Sequence, residues 1–174
     1  MTSISTADIK KLREATGAGM TDCKNALVEN DGDYDKAVEY LRVKGLKGVA
    51  KREGRAASNG LVAVSTSGTS KATLLELNCE TDFVAKSDKY IALAEQVVTA
   101  AAASGANDPK QITVDGKDLQ SVLDDANANL GEKIEVRRVA TFEGAFVAVY
   151  LHKTNPDLPP QLGVLVELSG VRAT

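Results

Sequence analysis

Apolar residues in the first 45 positions recur every three or four residues, the spacing of helices that bury one face. Ile9 and Leu12 form one such face, and Ser5 or Thr6 supplies a side-chain cap, which predicts a helix to about Ala15. Thr16-Gly17-Ala18-Gly19 ends it, because glycine accepts the left-handed turn of a helix terminus. A second helix is predicted from Thr21 or Asp22, with Ala26 and Leu27 inward, to Asn30-Asp31-Gly32. Asp33 caps a third, with Ala37, Val38 and Leu41 inward and Gly45 as its stop. Three helices in about 45 residues make a small bundle near the lower size limit for a self-standing unit. Residues 42–55 then read as a basic, partly helical connector, weakened as a helix by Gly45, Gly48 and Gly54.

Beyond Gly60 the period falls to two. Leu61–Ser65 and Ala72–Asn78 are predicted strands, and Ser67-Gly68-Thr69-Ser70 between them carries hairpin chemistry. Ser87 caps a helix to about Ala103, Asn107-Asp108-Pro109 breaks the chain, and an amphipathic helix runs from Asp118 to Leu130. Two further strands, Ile134–Phe142 and Ala145–His152, are expected to turn on each other at Glu143-Gly144. After a proline-rich loop the strand Gly163–Leu168 comes last, either an edge or a strand that awaits another element. Helices followed by strand pairs flanking two helices predict an α+β fold: a three-helix bundle, then a mainly antiparallel sheet with flanking helices. The corresponding division is residues 1–55 as bundle and connector, 56–140 as the first half of the core, and 141–174 as the start of its second half.

Composition narrows the functional classes. No run approaches the roughly 20 apolar residues of a membrane span, and the N-terminus has neither the basic flank nor the apolar stretch of a signal peptide, so a soluble cytoplasmic chain is expected. Net charge is −3. It divides into 11 Lys/Arg against 9 Asp/Glu over residues 1–55, a balance of +2, and 10 against 15 over the rest, a balance of −5. That weak basicity argues against direct nucleic-acid binding, although residues 42–55 hold six basic side chains. The two cysteines, Cys23 and Cys79, lie far apart without metal-ligand spacing, so neither a disulfide scaffold nor a zinc site is expected.

Little in the chain points to a covalent reaction. Cys79 and the sole histidine, His152, are the one nucleophile–base pair on offer, but a small buried cysteine and a structural histidine account for them better. Gly17 and Gly19 match neither phosphate-binding loop pattern, and no catalytic residue, metal or cofactor is assigned. The most informative stretch is Asn78–Lys86, where the chain must reverse between a strand and a capped helix. One of only three phenylalanines, Phe83, stands there beside Asp82. Burying a phenylalanine contributes roughly 1.5–3 kcal/mol, so composition alone favours a ring folded back on the helix. The other reading is a protruding wedge that fills a pocket on a second protein.

Two long blocks then bear on the choice. Leu12-Arg13-Glu14-Ala15-Thr16-Gly17-Ala18-Gly19-Met20-Thr21-Asp22-Cys23-Lys24-Asn25-Ala26-Leu27 resembles the first signature of the bacterial translation elongation factor Ts family, and Glu76-Leu77-Asn78-Cys79-Glu80-Thr81-Asp82-Phe83-Val84-Ala85-Lys86 resembles the second. Ile134–Val139 and Gly163–Val166 are also similar to it, so the resemblance covers nearly the whole chain. It implies a guanine nucleotide exchange factor, not an enzyme, whose partner is the GTPase elongation factor Tu. It also implies that the helical module is ubiquitin-associated-like. Carried over, Arg13, Met20, Thr21 and Lys24 lie on the module that grips the GTPase, with Thr21 departing from the larger apolar residue of some members. Thr81, Asp82, Phe83 and Val84 match the segment implicated in displacing Mg²⁺ from the partner, and His152 matches a second partner-approaching position. Family members usually continue past the last strand, so an incomplete second core half is expected. The alternative, from the residues alone, is a protein- or RNA-binding module without exchange activity. Oligomeric state is not legible.

Overall fold

Ser5 sets the first element. Its hydroxyl accepts from the Asp8 amide at 3.1 Å while the Asp8 carboxylate accepts from the Ser5 amide at 3.0 Å. This reciprocal box satisfies donors that a helix start leaves free, and α1 (Thr6–Thr16) follows it. The computed structural model describes residues 4–170. Gly17, at φ 72°, closes α1, and α2 (Met20–Glu29) begins one residue ahead of the expected cap, behind Gly19. Asp33 accepts from the Lys36 amide at 3.1 Å and starts α3 (Tyr34–Arg52). Leu12, Cys23, Ala26, Leu27, Ala37 and Leu41 from the three helices share one buried apolar cluster.

Gly45 does not stop the third helix; α3 continues seven residues beyond it, to Arg52. The glycine serves close approach instead. Residues Asp124–Gly131 pack in the same unit as α1–α3, and a Cβ built on Gly45 would stand 2.7 Å from the Cβ of Ala128. Alanine there gains about 1 kcal/mol of helix propensity but overpacks a contact that cannot yield, at a cost of about 1–3 kcal/mol. We expect Gly45→Ala to lower stability to urea by up to about 2 kcal/mol and to couple favourably with Ala128→Gly in a double-mutant cycle. Gly48→Ala meets a side-chain end, the Arg52 guanidinium at 3.1 Å, which need shift only slightly while it donates to the Asn127 carbonyl at 2.9 Å, and should cost less than Gly45→Ala. Additive effects of Gly45→Ala and Ala128→Gly would remove the close-approach explanation.

The second unit comprises Arg55–Leu123 and Glu132 onward. Here β1 (Asn59–Ser67) and β2 (Lys71–Cys79) form the expected hairpin, Ser67 opposite Lys71. β5 (Glu135–Glu143) joins the free edge of β2, giving the antiparallel order β1-β2-β5. Ser87 caps α5 (Asp88–Ser104), which buries Tyr90, Ala94, Val97, Val98 and Ala101 and packs on β1 and β2. Tyr90 donates its hydroxyl to the Leu77 carbonyl at 2.7 Å, so its polar end is satisfied inside the core. A 3₁₀ turn (Pro109–Gln111) and the two-residue strands β3 (Thr113–Val114) and β4 (Lys117–Asp118) precede α6 (Leu119–Leu130). Strands that short carry no readable period.

The strands around Glu143-Gly144 do not pair with each other. β5 lies against β2, whereas β6 (Phe146–His152) pairs with β7 (Leu162–Leu168), Phe146 opposite Leu168. Backbone bonds explain the divergence: Gly144 donates to the Ser70 carbonyl at 2.9 Å and Val147 to that of Thr69 at 2.8 Å. The chain leaving β5 is thereby tied to the β1–β2 turn and carried away from its own strand. Among the described strands β7 has β6 as its one partner, so it is an edge. Tyr150, Leu162, Val164, Val166 and Leu168, on one side of this ribbon by register and alternation, are exposed. Mixed helix and antiparallel sheet place the fold in the expected α+β class. Among the described residues no helix is long and apolar enough to cross a membrane.

Candidate functional site

β2 ends at Cys79, whose side chain is fully buried. The chain then rises to the sheet rim, where Thr81–Lys86 was expected to form a plain reversal. The reversal contains a single helical turn, α4 (Asp82–Ala85). Thr81 is in an extended conformation and its hydroxyl accepts from the Val84 amide at 3.3 Å, the geometry of an N-cap. At about 100° per residue, position 83 lies roughly opposite position 85. Because Ala85 is sealed into the unit, Phe83 is driven outward.

The Phe83 ring is 76% exposed, so it is not the core anchor that composition favoured. The Lys86 ammonium lies 4.7 Å from the ring centroid, a local contact. The chain thus forgoes the roughly 1.5–3 kcal/mol that burial would contribute. Asp82 is exposed beside it and Val84 is half-buried.

A polar clasp braces the root of this turn. One oxygen of Glu132 accepts from the Glu80 and Thr81 amides at 3.1 and 3.0 Å, and the other accepts from the Thr81 hydroxyl at 2.6 Å. In return the Glu80 carboxylate accepts from the Lys133 amide at 2.7 Å and pairs with Arg55 at 3.3 Å. Asn59 donates to the Glu80 carbonyl at 2.8 Å. The Cys79 thiol donates to the Thr81 carbonyl at 3.2 Å, and burial pushes its pKa up to about 11. It is therefore a protonated donor at neutral pH, without the thiolate a nucleophile needs. Sequence reasoning missed Glu132 and gave no role to Glu80 or Lys86, although both lie in the Asn78–Lys86 stretch; nothing in local patterning marks Glu132 and Glu80 as neighbours.

His152 stands exposed at the end of β6, its Nδ1 2.9 Å from the Tyr150 hydroxyl. The remaining singled-out residues belong to the first unit. Arg13 is exposed in the last turn of α1; Met20, Thr21 and Lys24 are exposed on α2, with Met20 and Lys24 four residues apart. That spacing makes them neighbours on α2, beside the stripe of buried Cys23 and Leu27. Among the described residues no group of three or more His, Cys, Asp or Glu side chains is arranged to hold a metal ion.

These features define an α+β protein whose singled-out side chains, other than half-buried Val84, are displayed on its surface. The family model described as Elongation factor TS matches residues 80–174. The chain is 57% identical over 174 residues to Elongation factor Ts of Kineococcus radiotolerans, covering 98% of this chain and 63% of that one. It is 56% identical over 173 residues to Elongation factor Ts of Streptomyces griseus (97% and 62%) and 53% identical over 172 residues to that of Thermobifida fusca (97% and 62%). The chain belongs to the elongation factor Ts family. It spans somewhat less than two thirds of the length of these relatives.

Proposed function

We propose that the chain is a guanine nucleotide exchange factor for the GTPase elongation factor Tu in translation elongation. It acts in the cytoplasm, without a cofactor of its own, and makes or breaks no covalent bond. Residues 1–55 are a ubiquitin-associated-like module that grips the GTPase through Arg13, Met20, Thr21 and Lys24. The core, residues 56–140 with the start of a second half in 141–174, presents the segment Thr81-Asp82-Phe83-Val84, and His152 approaches the partner separately.

The observation that carries this reading is Phe83: a large apolar ring about three-quarters exposed to solvent on a braced turn. A GTPase binds GDP through backbone donors, a phosphate-loop lysine and a Mg²⁺ ion bridging to phosphate. A ring inserted between elements of that domain displaces the metal and with it much of the phosphate's charge compensation. Factor and nucleotide then weaken each other's binding reciprocally, as linkage requires. Release of labelled GDP from elongation factor Tu, with and without catalytic amounts of this chain, tests the reading. Acceleration is the expected result; tight binding with unchanged release would identify a recognition module without exchange activity.

A further inference from the structure

We infer that Glu132 is a positioning residue for exchange, holding the Thr81 cap and through it the direction in which Phe83 stands. This rests on the function proposed above and adds to it a residue outside the Thr81–Val84 segment.

A single helical turn cannot hold itself. Nucleating a helix fixes several residues for very few bonds, and a free four-residue helix is not stable in water. α4 has the Ala85-to-Thr81 and Lys86-to-Asp82 backbone bonds, each 3.2 Å, and Ser87 donates to the Val84 carbonyl at its C-terminal end. Its orientation is therefore imposed from outside, and Glu132 supplies most of the polar constraint at its N-terminal end. Three donors converge on that carboxylate, two amides and one hydroxyl. Bonds to an ionised acceptor are the strong kind.

The Thr81 hydroxyl makes the connection directional. A hydroxyl has one proton and two lone pairs. Its proton is committed to Glu132 at 2.6 Å, which turns a lone pair towards the Val84 amide at 3.3 Å. Glu132 thus decides which way the cap faces, and the cap decides where α4 begins. Phe83 lies two residues further on. Glu80 reinforces the arrangement by accepting from the amide of Lys133, so the two chain segments hold each other from both sides.

The test compares Glu132→Ala and Glu132→Gln with the unaltered chain in GDP release from elongation factor Tu. Glutamine still offers one oxygen to the two amides but presents an amide group, not an acceptor, to the Thr81 hydroxyl. A misplacement of about 1 Å can cost on the order of 100-fold, so Glu132→Ala should lower the maximal release rate by about tenfold or more. KM should stay nearly constant, and Glu132→Gln should fall between. In a Phe83→Ala background Glu132→Ala should lower the rate no further, because both act through one ring. Amide hydrogen exchange supplies a reading independent of the partner: Glu80, Thr81 and Val84 should lose protection in Glu132→Ala while β1, β2 and α5 keep theirs. Unchanged rates, additive losses with Phe83→Ala, or loss of protection across the whole sheet would overturn the inference. If the unaltered chain itself fails to speed release, the proposed function falls, and the local amide pattern alone then decides whether Glu132 positions the turn.

Discussion

Phe83→Ala should reduce nucleotide release from elongation factor Tu by about 30-fold or more while leaving the protein almost as stable as before. The two halves of this expectation come from one number. With the ring 76% exposed, truncation creates no cavity, and surface substitutions of this kind change stability by about 0.5 kcal/mol or less. The contact with Lys86, 4.7 Å from the ring, is worth about 0.5–1 kcal/mol at an exposed site. Alanine's better helix propensity, by about 0.5 kcal/mol, offsets part of that loss. In a complex the same ring would be an interface anchor, and anchors of this type cost about 2 kcal/mol or more when removed. Applied to a rate, 2 kcal/mol is about 30-fold. GDP release and thermal unfolding measured on the same preparations separate the terms. A stability loss of several kcal/mol would mean that the ring supports its own fold; unchanged release would remove it from the mechanism.

That the ring deserved this weight was legible in the chain, and why it stays in place was not. Phe83 stood out because an aromatic residue in a reversal is conspicuous in a chain only 4% aromatic. Its support comes from Glu132, 51 residues beyond Thr81, whose role is invisible until β2 and β5 pair and bring Glu80 beside Lys133. The same contrast runs through the fold. Ser5, Asp33 and Ser87 each start a helix through a bond to a residue three positions on, so local sequence suffices. The β1–β2 hairpin is equally local, with Gly68 at φ 59° in its turn. Gly45 was misjudged because a glycine that ends a helix and one that lets two backbones approach look identical until Ala128 arrives. The false hairpin at Gly144 has the same origin: the bonds that decide it go to Thr69 and Ser70, more than seventy residues earlier.

The largest loss of stability is expected at Gly60. This residue, opposite Asn78 in the β1–β2 ladder, has φ +145°, a conformation that side chains oppose. A Cβ placed there would lie 2.1 Å from the Leu77 carbonyl oxygen and 2.8 Å from the Asn78 Cα, both backbone atoms of the neighbouring strand. Neither can swing aside as a side-chain tip would. The Leu77 oxygen is also the acceptor for the buried Tyr90 hydroxyl at 2.7 Å, so displacing it strains the bond that ties α5 to the sheet. Backbone strain of about 1–3 kcal/mol and overpacking of a similar size together give about 2–5 kcal/mol for Gly60→Ala in urea unfolding. Gly68→Ala supplies the control: its φ is +59° but nothing stands within 4 Å of the added carbon, so it bears the backbone cost alone, about 1–2 kcal/mol. Equal losses at the two positions would show that collision with β2 contributes nothing. A larger loss at Gly60 locates the cost in the spacing of β1 and β2, and because β2 runs directly into Cys79 and the Thr81 cap, the same substitution should also lower nucleotide release under conditions where the protein remains folded.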